Sequence, residues 1–251
     1  MISSRDFVGA LEKGLQVIEA FDSATARLTL SDIAARVGIT RAAARRFLLT
    51  LTELGYAEHD GRYFSLTPKV LGLSRAHLGG NSIYKLAQPV LDSMASKTME
   101  SASAGILSGT ELVFVARAQS PRPVSIHVTV GTRIPAFCAA LGRVLLGEIP
   151  EAEVRERLAY CPPDRLNTKT SVNPADIIRA TREAHLKGYA TCVEEFESGL
   201  NAIAVPVRNV LGEAVFSIGL SVPANRMSEE EMIKYLLPEL NASAAKLASM
   251  C

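Results

Sequence analysis

Arg41, Arg45 and Arg46, with alanine between them at position 42, are the side chains whose type and spacing most plainly define a chemistry. At about 100° per residue they and Ala42 fall on one face of a helix, while Ala43, Ala44, Phe47, Leu48, Leu51 and Leu54 gather on the other. A guanidinium offers two parallel donors that match O6 and N7 of guanine, or the oxygens of a phosphate. The small Ala42 permits close approach. Such a helix suits the major groove of duplex DNA. Leu49 projects from the basic face, where it can touch a thymine methyl or a neighbouring subunit.

The flanking residues show how that helix is held. Thr40 is a suitable N-cap. Before it, Thr29 and Asp32 read as the start of a shorter helix whose apolar stripe is Leu30, Ile33, Ala34 and Val37. Gly38 supplies the left-handed stop and Ile39 an inward apolar residue, so two helices are joined by a tight turn. After Gly55, residues 56–58 and 63–66 read as strands around His59-Asp60-Gly61-Arg62. An Asp-Gly pair predicts a type I′ hairpin with both residues at positive φ. Arg62 and His59 at its tip can reach phosphate or the minor groove. Phe7, Leu11, Leu15, Ile18 and Phe21 keep helical spacing and predict a first helix that roofs the other two. Residues 1–66 are therefore expected to be a winged helix-turn-helix that binds DNA through Thr40, Arg41, Ala42, Arg45, Arg46, His59 and Arg62.

Residues 67–81 read as a linker helix. Thr67-Pro68 is an N-cap followed by proline at the first helical position, Val70, Leu71, Leu73 and Leu78 are its apolar residues, and Gly79-Gly80 ends it. With apolar positions on more than one side, it is expected to pack against its twin in a dimer, and dimers match palindromic operators.

Composition is compatible with this reading. The chain has 251 residues, 48% of them hydrophobic, and a net charge of +1, so DNA affinity must come from a local field. No apolar run reaches the length of a membrane span and no signal-peptide core is present, which predicts a cytoplasmic protein. Cys138, Cys161, Cys192 and Cys251 are widely spaced and read as free thiols. No metal-ligand pattern and no cofactor fingerprint stands in the chain.

Residues 82–251 alternate between helical and strand patterns. Helices are expected at about 82–98, 139–147, 151–159 and 174–187, the last capped by Asn173, with a terminal helix opened by a Ser228–Glu231 capping box. Strands are expected in residues 101–117 around Ser108-Gly109-Thr110, at 124–130, and at 202–208 and 214–222. Hairpins interleaved with helices predict an α+β sheet domain. A catalytic reading needs a nucleophile, a base and an orienting group, and none declares itself. A sensor is the expectation, with an enzyme tethered to a DNA reader as the alternative.

Gly131-Thr-Arg-Ile-Pro135, Ala139-Ala-Leu-Gly-Arg-Val-Leu-Leu146, Gly188-Tyr189, Glu195 and Ala202-Ile-Ala-Val-Pro-Val207, together with the N-terminal motif, resemble the IclR family of bacterial transcription regulators over essentially the whole chain. The resemblance implies an N-terminal winged helix-turn-helix, a linker helix and a C-terminal GAF-like antiparallel-sheet domain that binds a small carboxylate. It implies a homodimer or homotetramer on operator DNA, with RNA polymerase as a further partner. The run Gly-Thr-Arg-Ile-Pro-Ala-Phe-Cys followed by Gly-Arg-Val-Leu-Leu looks like the branch regulating protocatechuate, 4-hydroxybenzoate and β-ketoadipate catabolism. Glyoxylate- or pyruvate-type regulators are the runner-up.

In the family the effector lies against backbone amides that correspond to Ala140 and Leu141, and against side chains that correspond to Cys192, Ala202, Gly219 and Ser221, with Glu195 nearby. Members that take two- or three-carbon acids tend to carry aspartate, cysteine and serine where this chain has Cys192, Ala202 and Gly219. Each change removes polarity or volume, which favours a larger, partly apolar acid. Its carboxylate wants a cation or a helix start, for which Arg133 is the expected partner, and its ring wants an apolar slot, for which Phe137 and Ile203 are expected. His127, alternating with Ser125 and Thr129, is a candidate for a phenolic hydroxyl.

Overall fold

The computed structural model describes residues 6–21, 25–73, 82–120 and 128–250, in two compact units that divide between Gly80 and Asn81. In the first unit, α1 (Gly9–Glu19), α2 (Leu30–Val37) and α3 (Arg41–Glu53) are followed by β2 (Ala57–His59) and β3 (Phe64–Leu66), with a short β1 (Arg27–Leu28) before α2. The three strands form one antiparallel sheet in the order β1-β3-β2. Its core is Val17, Leu28, Ile33, Ala34, Ala44, Leu48, Leu51, Ala57 and Phe64. The Thr29 hydroxyl accepts from the Asp32 N–H at 3.3 Å, and the Thr29 N–H donates to the Asp32 carboxylate at 2.9 Å. The Thr29 hydroxyl also donates to the Asp32 carboxylate at 2.6 Å, and this bond together with that from the Thr29 N–H holds the Asp32 carboxyl below its ordinary pKa. Thr40 caps α3 by accepting from the Ala43 N–H.

Three local expectations are corrected here. Only Gly61 of the Asp60-Gly61 pair has positive φ (+100°). Asp60 turns the chain instead through its carboxylate, which accepts from the N–H groups of Arg62 and Tyr63 at 2.9 and 2.7 Å. The first helix does not bury its expected stripe. Val17 is the fully buried residue, Ile18 and Phe21 pack partly, and Phe7, Leu11 and Leu15 are exposed. Leu54 lies past the end of α3 and is likewise exposed.

Thr67 caps a tight 3-10 turn over Pro68–Val70 that opens the linker. Residues 71–73 are helical, and the rest of the linker, residues 74–81 with Leu78 and Gly79-Gly80, lies outside the described residues.

The second unit is a six-stranded antiparallel sheet in the order β6-β5-β4-β9-β8-β7, from β4 (Ser101–Ser108), β5 (Glu111–Ala118), β6 (Arg133–Pro135), β7 (Ala190–Val193), β8 (Leu200–Arg208) and β9 (Ala214–Pro223). One face is covered by α4 (Ser82–Thr98) and α9 (Leu237–Ala248), in a core that includes Leu91, Met94, Phe216, Ile218, Leu220 and Leu240. The other carries α5 (Ala140–Leu146), α6 (Glu151–Tyr160) and α7 (Pro174–Lys187), in a core around Leu112, Phe114, Ile134, Leu145 and Ile177. The terminal helix begins at the predicted Ser228–Glu231 capping box as α8 (Glu229–Tyr235) and gives way to α9 at Leu236, just before Pro238. Among the described residues no helix is long and apolar enough to cross a membrane.

The expected strand at 124–130 falls mostly outside the described residues. Its described part, residues 128–130, is not strand, and β6 at Arg133–Pro135 and β7 were not anticipated. His127 and Ser125 also lie outside the described residues.

Candidate functional site

Arg41, Ala42, Arg45 and Arg46 are all solvent-exposed on α3, opposite the buried Ala44, Leu48 and Leu51. Leu49, 43% exposed, shares their side. In the hairpin, His59 stacks on Phe64 with ring centroids 4.2 Å apart. The Arg62 and Arg27 guanidiniums each lie over the Tyr63 ring, and Arg27 pairs with Asp60. The wing tip is thus ordered by its own contacts and keeps Arg62 exposed.

The second unit holds a cavity between the sheet and the start of α5. About 50 Å³ of it is open to the centre of a water-sized sphere. Its floor follows from the register. One row across the sheet reads Arg117, Ser103, Gly219, Ala204, Ala190, and the next reads Ser101, Ser221, Ala202, Cys192. Residues in register share a face, and small side chains over two rows leave a hollow. Leu112, Phe114, Ile134, Leu141 and Phe196 supply apolar walls. The roof is the turn from Cys138 to Leu141, where α5 begins without a side-chain cap, so its first N–H groups have no intrahelical acceptor.

Of the described residues that line the cavity, Arg117 alone carries a formal charge. It owes its position to a β-bulge. Ser103 is paired with Arg117 and Ala104 with Ala116, but Gly105 with Phe114, leaving Val115 as the extra residue. The bulge reverses the alternation, so that Leu112, Phe114 and Arg117 share the cavity face while Val115, Ala116 and Ala118 join the opposite core. The Arg117 Nη1 donates to the Ser103 hydroxyl at 3.2 Å. Its Nε is buried and has no hydrogen-bond partner among the described residues, and burial holds the guanidinium pKa below its ordinary value.

Seven of the expected ligand-site residues line this cavity: Ala140, Leu141, Cys192, Ala202, Ile203, Gly219 and Ser221. Ile203, however, alternates away from Ala202 and Ala204, and its side chain belongs to the core under α4 and α9, so it offers no ring slot. Phe137 is buried beside the cavity without lining it. Arg133 is exposed, pairs with Glu111 at 2.8 Å, donates to Ser108, and does not reach the cavity. Glu195 stands behind the wall, paired with the buried Arg143. Arg117, Cys138 and Phe196 were not anticipated. The signal for Arg117 was a lone cation in the run Val115-Ala116-Arg117-Ala118, whose facing depends on the bulge.

Cys138 and Cys192 both line the cavity, and burial pushes each thiol up to about 12. At pH 8 each is then ionised to only about one part in 10⁴, whereas Cys161 is exposed. Iodoacetamide at pH 8 should label Cys161 first, with Cys138 and Cys192 modified more than ten-fold more slowly by peptide mass mapping. Comparable rates at all three would contradict the buried placement.

An arginine-faced winged helix-turn-helix and a separate sheet unit enclosing a small-molecule cavity define a ligand-responsive DNA-binding transcription regulator. The chain matches the IclR helix-turn-helix domain over residues 10–61 and the bacterial transcriptional regulator IclR C-terminal domain over residues 75–249, and it belongs to the IclR family. It is 35% identical over 243 residues to the Pca regulon regulatory protein of Pseudomonas putida, covering 96% of this chain and 84% of that one. It is 33% identical over 254 residues to the p-hydroxybenzoate hydroxylase transcriptional activator of Acinetobacter baylyi, covering 99% and 94%. A crystal structure from Rhodococcus sp. RHA1, described as a transcriptional regulator, superposes with a TM-score of 0.80 at 38% identity, covering 97% and 98%. These relatives are regulators, not enzymes.

Proposed function

We propose that this regulator responds to a single-ring aromatic acid. The observation that carries the reading is Arg117, a desolvated cation that lines an otherwise neutral and largely apolar cavity and whose Nε has no partner among the described residues. A carboxylate there restores the missing hydrogen bond and relieves the cost of burying the guanidinium. The ring packs against Phe114, Leu141 and Phe196, and Ser221 is available to a ring hydroxyl. The relatives' association with Pca genes and p-hydroxybenzoate hydroxylase supports the same class. A two- or three-carbon oxoacid satisfies Arg117 but leaves the apolar walls unfilled.

Thermal unfolding of the full chain with protocatechuate, 4-hydroxybenzoate, β-ketoadipate, glyoxylate and pyruvate tests this. An aromatic acid at a hundred times its Kd stabilises by about 2.7 kcal/mol. Stabilisation by glyoxylate or pyruvate alone would overturn the reading in favour of small-oxoacid regulation.

On DNA, α3 enters the major groove with Thr40, Arg41, Ala42, Arg45 and Arg46, and the wing brings Arg62 and His59 to the backbone. Arg41→Ala and Arg45→Ala should each cost about 1–3 kcal/mol of operator affinity if the side chain reads a base. A gel-shift titration with both variants unchanged would sink the assignment. A homodimer on a palindromic operator follows from the exposed apolar residues Leu71 and Leu73 at the start of the linker, and sedimentation equilibrium showing a monomer on operator DNA would refute it. A dimer of dimers and contact with RNA polymerase extend the same reading.

A further inference from the structure

Behind the cavity wall lies the buried guanidinium of Arg143 in α5, 7% exposed and not among the residues that line the cavity. Its Nη1 donates to the carbonyl of Thr191 at 3.0 Å and to the Glu195 carboxylate at 2.9 Å. Its Nη2 donates to the carbonyl of Phe137 at 2.9 Å and again to Glu195 at 2.7 Å. The acceptors belong to three separate segments: the turn before α5, strand β7 and the loop after it. Each stands one residue before a cavity-lining side chain, namely Cys138, Cys192 and Phe196.

The third segment is held from its other side as well. The Asn167 amide donates to the carbonyls of Glu194 and Glu195, and the Thr170 hydroxyl donates to that of Glu195 at 2.7 Å. Glu194 itself has φ +55°, a conformation that a non-glycine residue keeps only where its surroundings enforce it.

We infer that Arg143 is the positioning residue of the effector cavity. Paired with Glu195, it sets the mutual spacing of the Cys138, Cys192 and Phe196 walls without touching the ligand. The planar fork of an arginine is needed, since lysine has the charge but not four donors in fixed directions. The inference rests on the proposed effector reading only for its affinity readout. The thiols of Cys138 and Cys192 report the wall geometry with no ligand present.

The test compares Arg143→Lys and the isosteric Glu195→Gln with Arg208→Lys, a control at the bidentate Arg208–Glu148 pair, which does not line the cavity. All are measured well below their melting temperatures. The Glu195→Gln variant keeps the inference falsifiable should Arg143→Lys fail to fold.

In both clamp variants, iodoacetamide labelling of Cys138 and Cys192 is expected to rise about ten-fold with Cys161 unchanged, and 4-hydroxybenzoate binding by calorimetry to weaken about ten-fold. The control should lower the melting temperature and change neither. A role in stability alone predicts lowered melting with wild-type labelling rates, and that outcome in Glu195→Gln overturns the inference. If the wild type binds no aromatic acid, the effector reading fails, while the labelling rates still decide the clamp.

Discussion

Arg117→Met should abolish the effector response while leaving the protein folded and able to bind its operator. In the free protein this guanidinium is a liability: it is pulled out of water, and among the described residues its Nε has no partner and its side chain makes one hydrogen bond, to the Ser103 hydroxyl. Methionine fills similar space without charge, so unfolding midpoints should stay level or rise, as when other incompletely compensated buried charges are replaced by apolar residues. For a bound carboxylate the sign reverses. Removing one partner of a desolvated ion pair costs about 2–5 kcal/mol, which weakens binding by roughly 30-fold to several thousand-fold. Calorimetric titration with 4-hydroxybenzoate reads this directly. Arg133→Met, which removes an exposed arginine paired with Glu111, should bind like the wild type. If Arg133→Met loses binding and Arg117→Met keeps it, the carboxylate sits elsewhere.

Gly142→Ala should be among the most destabilising single-methyl additions available in the chain. A Cβ at this position would stand 2.4 Å from the Ala136 carbonyl oxygen and 2.5 Å from its Cα. Both are backbone atoms, so no side chain can swing aside and α5 itself must move. The expected cost is about 3 kcal/mol or more, although glycine to alanine inside a helix ordinarily stabilises by about 0.5–1 kcal/mol. Because Ala140 and Leu141 line the cavity from the same first turn, any variant that does fold should also bind the effector poorly. Gly14→Ala provides the contrast. Its Cβ would meet only the Phe47 ring at 3.9 Å, so that variant should gain the ordinary helix benefit. Urea unfolding of the two full-length variants should shift in opposite directions, and a stabilised Gly142→Ala would show that α5 does not pack against the 136–138 turn.

The sequence by itself determined the features whose physics is local. Thr29 with Asp32, Thr40, Asn173 and Ser228 with Glu231 mark helix starts because a side-chain oxygen within three residues satisfies an orphan backbone donor, and each was found in place. The arginine face of α3 was legible for the same reason, since helical period alone separates Arg41, Arg45 and Arg46 from Ala44, Leu48 and Leu51. Family motifs carried this further, to the α5 turn and the β8 and β9 rows of the cavity floor.

What the tertiary structure alone decided was which charge faces the cavity. Arg133 stands close in sequence to α5 and was the natural choice, yet β6 turns it outward to Glu111. Arg117 lies in an apolar strand whose simple alternation would send it to the opposite core, and one unpaired residue, Val115, reverses it. A bulge is a property of the pairing between two strands, and a pairing register is set by contacts far apart in the chain. For that reason Arg117 could be read as a cation from the sequence, but only the fold could make it the cation at the site.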